Sequence, residues 1–265
     1  MLTSEQSKIV ELLCLCQPAN DSLIETLAEG LNVEISALLE QIGFCELGIY
    51  APKDFVATLL RGLFSYRKAT SLRALPFFRN LTFLDCAENK LLSLTGLEQH
   101  TQLRELQCWR NQISSFVGIE NCTELREICC TRNRLKSLAG LEKLTNLQTL
   151  DCSYNLLTSL EGLEKLNALW EIRCLCNKIT NFSDIAPLTN LVQITFTGNK
   201  ISDLRGLENK KHLKIADFYS NQLSDLSPLY KLPSLERIDI RKNPDLSETE
   251  IARFREHQPN CKILC

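Results

Sequence analysis

The sequence predicts an α/β solenoid, with a stack of short strands through most of the chain and helices at both ends. Three observations support this prediction. An asparagine recurs every 22 residues, the residues before each asparagine alternate between apolar and polar, and the first 70 residues contain no copy of the pattern. A fixed period of this size is typical of solenoids, because one unit cannot bury its apolar face alone whereas stacked units can.

Length and composition agree with a folded, water-soluble chain. Its 265 residues are 44% hydrophobic and 23% charged, as in ordinary globular proteins. The formal net charge of −2 gives no overall attraction to nucleic acid or to anionic lipid. We therefore expect neither nucleic-acid binding nor membrane binding.

The apolar run IVELLCLC at residues 9–16 is interpreted as part of a helix. It is short, contains Glu11, and lacks both a basic segment before it and a small-residue cleavage site after it. No run approaches the roughly 18 apolar residues of a membrane span, and Cys265 is not fourth from the end, as prenylation requires. We expect a cytoplasmic protein, and delivery into a host cell by a specialised secretion system stays open.

The repeat is defined by its asparagines and by the segments that precede them. The asparagines are Asn89, Asn111, Asn133, Asn155, Asn177, Asn199, Asn221 and Asn243. The preceding segments include LTFLDCAEN, LRELQCWRN, LQTLDCSYN and LERIDIRKN, and second halves such as LAGLEKLTN follow them. Eight units in strict register indicate one turn of chain per unit.

This pattern resembles the leucine-rich repeat, L-x-x-L-x-L-x-x-N-x-L, in its short 22-residue form, over roughly residues 72–247. Similar repeats occur in the regulatory subunit of protein phosphatase 1 and in internalin-like and other bacterial proteins. The resemblance implies a right-handed solenoid with one parallel strand per turn on the concave face and tight or 3₁₀ segments on the convex face. The expected regions are a helical N-terminal cap or accessory domain (1–70), eight repeats (71–247) and a helical C-terminal cap (248–265).

One unit illustrates the physical logic. In the unit that begins at Leu147, strand alternation directs Leu150 and Cys152 inward. The outward side chains of that strand are Thr149, Asp151 and Ser153. Asn155 ends the strand, and its amide can donate to and accept from turn backbone that would otherwise lack partners.

The thirteen cysteines raise the question of disulfides, metal binding or simple packing. Five occupy one slot of successive units: Cys86, Cys108, Cys130, Cys152 and Cys174. The next three units fill that slot with Phe196, Phe218 and Ile240, so the position requires an apolar group and free cysteine serves as a small one. The chain has no C-x-x-C motif and its three histidines are dispersed, so we expect no metal or other cofactor. Free buried thiols favour a reducing compartment.

Cys129 and Cys176 differ because alternation places them on or beside the concave surface. They are candidates for reactive thiols. The alternative is that both are incidental surface cysteines, since no histidine base stands near them in sequence.

Residues 1–70 lack the repeat and predict helices at 4–16, 21–30, 33–42 and 53–67. The segment 27–43 resembles a DNA-binding helix-turn-helix. Residues 1–50 hold eight acidic residues and one lysine, and Glu34 and Glu40 stand where DNA contacts require basic or amide groups. A helical cap or a second protein-docking surface is therefore favoured over DNA binding.

The C-terminal segment predicts a helix that covers the last repeat. Ser247 can cap its N-terminus with Glu250 three residues on, Phe254 supplies an apolar contact, and Pro259 ends it. The final CKIL can lie along the last repeat.

The outward residues of the strands form the candidate binding surface. Trp, Tyr and Arg are enriched at binding hot spots, and like charges stack at Glu105/Glu127, Arg104/Arg126 and Arg110/Arg132, which favours a complementary partner. The alternative is that the charged rows neutralise each other across the sheet. The candidate partner-binding residues are Glu105, Trp109, Arg110, Glu127, Arg132, Asp151, Tyr154, Trp170, Arg173 and Tyr219. The outward set also includes Ala87, Glu171 and Asp239.

No glycine-rich phosphate loop, metal-ligand spacing or Ser/His/Asp set appears, so we expect no enzymatic activity. The resemblance implies a module that binds a partner protein on its concave face. The lack of a signal peptide and the free thiols favour an intracellular module, and we expect it to be monomeric when free. Such a module would act as a steric inhibitor or regulator, in an immunity-like or effector-modulating role. The alternative is a scaffold or adaptor that uses the concave face and the acidic N-terminal helices.

Overall fold

The computed structural model describes residues 69–72, 75 and 81–265. In this part of the chain, nine three-residue strands form one parallel sheet in chain order. The strands are β1 (Phe83–Asp85), β2 (Glu105–Gln107), β3 (Glu127–Cys129), β4 (Thr149–Asp151), β5 (Glu171–Arg173), β6 (Gln193–Thr195), β7 (Ile215–Asp217), β8 (Arg237–Asp239) and β9 (Lys262–Leu264). One parallel strand per turn is as predicted. The helices predicted before residue 68, and the segment 27–43, lie outside the described residues.

The 22-residue period is also the register of the sheet. Glu105 lies opposite Glu127, and Leu106 lies opposite Ile128. The last pair departs from this spacing, because β9 follows a helix and Arg237 pairs with Lys262. The predicted position of CKIL along the last repeat is confirmed.

The inner face of the solenoid forms one continuous apolar core. The five cysteines of the shared slot are fully buried, and the ten cysteines of the described residues are all free. Where the slot changes to aromatic residues, the Phe182 ring meets Phe196 edge-on with ring centres 4.9 Å apart. The prediction that cysteine acts here as a small apolar side chain is confirmed.

Each repeat asparagine ties its own turn to the preceding one. The side-chain oxygen of Asn155 accepts from Leu135 N at 3.0 Å. Its Nδ2 donates to the carbonyl oxygens of Cys130 and Cys152, at 3.1 and 3.0 Å. Asn155 is only 7% exposed, so these bonds satisfy backbone groups that water does not reach.

The segments opposite the strands are tight turns. The turns before β6 and β8 contain 3₁₀ helices, Ser183–Ile185 and Ser227–Leu229. The turn before β3 requires glycine: Gly118 has φ +111°, and a Cβ added there would lie 2.4 Å from the carbonyl oxygen of Leu94. These turns match the expected tight or 3₁₀ segments.

Helix α1 (Glu248–His257) follows the last repeat. It begins as predicted, with Ser247 Oγ accepting from Glu250 N at 3.1 Å. The Glu250 carboxylate does not complete a capping box; it accepts from Leu226 N at 2.9 Å and from the Tyr230 hydroxyl at 2.7 Å. With Phe254 fully buried, these bonds fix α1 to the final turn. Among the described residues, no helix combines the length and apolarity needed to cross a membrane.

Candidate functional site

The outward side chains of β1–β8, together with the residues that flank each strand, form a surface that we call the strand face. Each strand alternates, with a buried central residue and more accessible residues on either side, as in Phe83–Asp85 and Glu105–Gln107. The fixed register aligns equivalent side chains of successive turns in straight rows. Neighbouring members of a row are therefore about 4.7–4.9 Å apart at the backbone.

A glutamine relieves the acidic stack at the start of the strand face. Glu105 and Glu127 lie directly opposite each other, as predicted. Gln107 Nε2 donates to Glu105 Oε1 at 3.1 Å and to Glu127 Oε1 at 3.2 Å. The Asp151 carboxylate instead accepts from the backbone nitrogen of Ser153 at 3.0 Å. The like charges remain, but local donors offset part of their repulsion.

Arginines on the strand face pair locally rather than across the whole sheet. Arg173 contacts Glu171 at 2.7 Å, and Arg110 contacts Glu88 of the preceding turn at 2.7 Å. The sequence analysis missed Glu88, although its 22-residue offset from Arg110 was a usable signal. Acidic and basic side chains therefore neutralise each other on part of the strand face, as the alternative interpretation predicted.

Two carboxylates of the predicted outward set are covered. Glu171 is 8% exposed and Asp239 is 4% exposed. Arg241 lies over Asp239, with a contact of 2.6 Å. Burial by itself raises the pKa of Asp239, but the hydrogen bonds and charge of Arg241 outweigh burial and hold that pKa below its usual value.

Ala87 and Ser153 were predicted to face outward, and this is wrong. Ala87 is fully buried and Ser153 is 3% exposed. The backbone leaves the strand at this point: Ala87 N donates to Asp85 Oδ1 at 3.0 Å, and Ser153 Oγ accepts from Leu175 N at 3.1 Å. Alanine and serine at this position are covered, whereas the larger side chains of Thr131, Trp109 and Tyr219 at equivalent positions remain half-buried.

Aromatic side chains lie at the predicted outward and rim positions. Tyr154 is 43% exposed and Trp170 is 40% exposed. The Arg132 guanidinium lies 4.7 Å from the centre of the Tyr154 ring, and the Arg110 guanidinium lies 5.6 Å from that of Trp109. At the far end Tyr219 has two cations over its ring, from Arg241 and Lys242. Cation–π contacts of this kind restrict the orientation of exposed arginines.

The residue before each asparagine has a left-handed backbone, which the sequence analysis did not predict. We call these residues the left-handed row: Glu88, Arg110, Arg132, Tyr154, Cys176, Gly198, Ser220 and Lys242. The seven non-glycine members have φ between 50° and 57°. This conformation costs L-residues roughly 1–2 kcal/mol and suits glycine. Gly198 was the one sequence signal of the constraint.

Two shallow clefts lie among these side chains. The first, of about 330 Å³, is lined by Glu127, Asp151, Trp170, Glu171 and Arg173 together with neighbouring strand residues. The second, of about 350 Å³, is lined by Glu88, Trp109, Arg110, Cys129, Thr131 and Arg132. Seven of the ten predicted partner-binding residues line these clefts. Glu105 and Tyr154 do not line them but contact residues that do, Gln107 and Arg132, and Tyr219 lies at the other end of the strand face.

Both candidate thiols lie on the surface side, and among the described residues neither forms a hydrogen bond with a basic side chain. Cys129 is half-buried, and burial raises its pKa, so its thiol is protonated at neutral pH. Cys176 is exposed and belongs to the left-handed row. In the described part of the chain, no cluster of His, Cys, Asp and Glu has the arrangement of a metal site.

Comparison with known proteins agrees with this geometry. A family model described as leucine-rich repeats, in two copies, matches residues 123–165. The structure of internalin C2 from Listeria monocytogenes is similar, with 26% identity over 74% of this chain and 84% of that one and a TM-score of 0.62. None of the curated protein sequences matches the chain.

Two further structures share the fold at lower identity. The functional domain of InlJ from Listeria monocytogenes, described as including a cysteine ladder, is 24% identical over 77% of this chain, with a TM-score of 0.62. The LRIM1/APL1C complex is 20% identical over 65% of this chain, with a TM-score of 0.55. This chain spans 48% of the InlJ chain and 37% of the other.

Proposed function

We propose that this chain, a leucine-rich repeat protein whose fold resembles that of internalin C2, binds another protein on its strand face, the concave side expected of such repeats. The observation that carries the proposal is the exposure of Tyr154 and Trp170 on a parallel sheet of fixed register. Exposed aromatic residues beside arginines are the usual composition of binding hot spots. The LRIM1/APL1C complex supplies a fold relative that assembles with a partner protein.

The partner is engaged by steric coverage. The strand face offers shallow clefts of about 330 and 350 Å³ and many side-chain contacts, an arrangement that suits a broad protein surface better than an enclosed small molecule. A partner covered in this way loses access to its own surface. The chain therefore acts as an inhibitor or regulator of that partner, in the manner of an immunity or effector-modulating protein.

We further propose that it acts in a reducing compartment such as the bacterial cytoplasm. Five fully buried thiols are stacked in one slot, an arrangement of the kind the InlJ domain is described as including. The ten cysteines of the described residues are free, and two of them, Cys176 and Cys265, are exposed. Exposed free thiols persist best where disulfide formation is suppressed.

Affinity capture with a double variant tests the binding proposal. Trp109→Ala with Arg132→Glu removes one aromatic and reverses one charge on the strand face. The control, Val117→Ala with Lys143→Glu, truncates one apolar side chain and reverses one charge in the turns away from the strands, where both residues are exposed. We expect a protein retained by the wild type and the control, and lost by the strand-face variant, when lysates are compared by mass spectrometry. Equal retention by all three would contradict binding on the strand face.

A further inference from the structure

Each member of the left-handed row sits in a conformation that glycine would adopt at lower cost. The neighbouring backbone explains why it persists: Arg110 N donates to Thr131 O at 2.8 Å, and Arg132 N donates to Ser153 O at 2.9 Å. These bonds extend the sheet ladder past the strands, so the backbone conformation is imposed by the fold. The identity of the side chain is not, since Gly198 occupies the same place.

Arginines nevertheless stand at two adjacent members of the row. Arg110 and Arg132 are one ladder spacing apart, and their like charges repel in the free protein. Arg110 has a carboxylate partner in Glu88 at 2.7 Å. Among the described residues, Arg132 makes no ion pair, and its guanidinium lies over the Tyr154 ring. Arg132 therefore combines backbone strain, charge repulsion and an unneutralised charge, none of which stabilises the free chain.

The surroundings of Arg132 define what it can bind. It borders the cleft of about 350 Å³ that Trp109 and Arg110 also line. The guanidinium carbon lies 4.7 Å from the Tyr154 ring centre. Among the described residues the Arg132 side chain donates no hydrogen bond, so its N–H groups are available. A planar edge of N–H donors matches the two oxygens of a carboxylate, and the aromatic rings on either side offer contact to the adjoining apolar atoms.

We propose that the Arg110, Arg132 and Tyr154 part of the left-handed row, with Trp109 beside it, is a docking edge for an acidic peptide segment of the partner protein. A side-chain carboxylate of that segment lies on the Arg132 guanidinium, and its neighbours occupy the cleft beside Trp109. This inference rests on the proposed function and adds the chemistry of the partner to it. Arginine is then retained at these left-handed positions, where glycine would cost less, because the arginine side chains are needed for binding.

A peptide selection on the full-length chain tests the inference. The probe is a phage library of random 12-residue peptides, panned on the wild type, on Arg132→Gly and on Ser220→Gly. Both substitutions place glycine at a left-handed position, so both relieve backbone strain, but only the first removes a predicted contact. An enriched peptide is then synthesised in two forms, one native and one with Asp and Glu replaced by Asn and Gln, for fluorescence anisotropy.

We expect the wild type to enrich peptides rich in Asp and Glu. Arg132→Gly and the amide form of the peptide should each weaken binding at least tenfold, while Ser220→Gly should change affinity less than twofold. Arg132→Gly should also melt at or above the wild-type temperature, which separates lost binding from lost folding. Added salt should weaken the native peptide more than the amide form.

Three results would overturn the inference: enriched peptides without carboxylates, unchanged affinity in Arg132→Gly, or no enrichment on the wild type. A peptide that binds Arg132→Gly as tightly as the wild type but loses affinity for a Trp170→Ala variant would bind the strand face away from Arg132. That result would remove the acidic-segment assignment and leave the proposed function intact. Failure of the proposed function is read separately, from equal partner capture by the wild type and the Trp109→Ala, Arg132→Glu variant.

Discussion

The side-chain nitrogen of Lys210 donates to the carbonyl oxygen of Ile185, 25 residues earlier in the chain, over 2.8 Å. It also donates to the carbonyl oxygen of Ala186 at 2.8 Å. Lys210 has no exposed surface, and burial lowers its pKa from 10.5 to about 8. The equivalent positions of the turns on either side hold Leu188 and Leu232. A charged side chain therefore occupies an apolar slot.

Lys210→Met should stabilise the fold at neutral pH. A pKa lowered to about 8 implies a cost on the order of 3 kcal/mol for keeping the buried amine charged. This cost remains although the amine donates two hydrogen bonds. We expect a gain of about 1–3 kcal/mol in the free energy of unfolding, measured by urea denaturation at pH 7. A variant less stable than the wild type would show that the two bonds outweigh the cost of burying the charge.

The same variant gives a pH signature. Below about pH 8 the amine is charged in both the folded and unfolded states, so the full cost applies. Between about pH 8 and 10.5 the unfolded chain binds more protons than the folded one, so wild-type stability rises relative to the variant. The stability advantage of the variant should therefore shrink over this range, as the cost of the buried charge is lost. Ionisation of the cysteines lowers stability as the pH rises, but it affects both proteins equally and cancels in the stability difference. A stability difference that stays constant from pH 7 to 10.5 would contradict the lowered pKa of Lys210.

Asn155→Ala should cost about 1–3 kcal/mol of stability, because it leaves buried backbone groups of Leu135, Cys130 and Cys152 without their partner. Asn146→Ala is the matched control, since the Asn146 side chain bonds one carbonyl in an exposed turn. Thermal or urea unfolding of both variants measures the contrast. Equal, small effects at the two positions would remove the bridging role of the repeat asparagines.

Two glycines with positive φ should respond very differently to alanine. At Gly118 the new Cβ would lie 2.4 Å from the Leu94 carbonyl oxygen, so Gly118→Ala should cost about 3 kcal/mol or more. At Gly198 the nearest atom is Cys176 Sγ at 3.2 Å, and seven other turns hold non-glycine residues there. Gly198→Ala should therefore cost only about 1 kcal/mol. Unfolding experiments on the pair would contradict this account if the order were reversed.

Thiol titration should divide the cysteines by position. Burial raises the pKa of Cys86, Cys108, Cys130 and Cys174, and these thiols should not react with a thiol reagent in the native protein. Cys176 and Cys265 are exposed and should react fast, with half-buried Cys129 slower. The experiment uses a Cys14→Ser, Cys16→Ser, Cys45→Ser variant, so that the N-terminal thiols do not contribute. Labelling of the buried set, located by peptide mapping, would contradict a closed core.

Much of the fold could be predicted from the 22-residue period alone. This single spacing sets the strand register, the positions of the core side chains and the asparagine bridges between turns. The placement of Trp109, Tyr154 and Trp170 followed for the same reason. Some local features were not predicted: Ala87 and Ser153 are covered because each strand ends two residues before them, at Asp85 and Asp151. The 22-residue offset places Glu88 beside Arg110, but whether the two side chains form an ion pair depends on their rotamers.

The left-handed row was also beyond prediction from residue preferences, since arginine, tyrosine and lysine rarely adopt positive φ. Lys210 was equally hidden, because its slot points at a carbonyl oxygen of the preceding turn. Cys122 uses the same geometry, with its Sγ 3.4 Å from Leu97 O. Such a slot accepts either an apolar group or a donor, and sequence alone does not say which contact forms.

Because the parallel sheet follows strict chain order, the length of the strand face is set by the number of turns. From β1 to β8 there are seven ladder spacings, so the strand face measures about 34 Å at about 4.8 Å per turn. Removing one complete 22-residue unit between Trp109 and Tyr219 would bring these two side chains closer by one strand spacing, about 4.8 Å. The bonding pattern within every remaining turn would be unchanged. The separation of contact points offered to a partner is thus counted in whole turns, and it can be lengthened or shortened only in those steps.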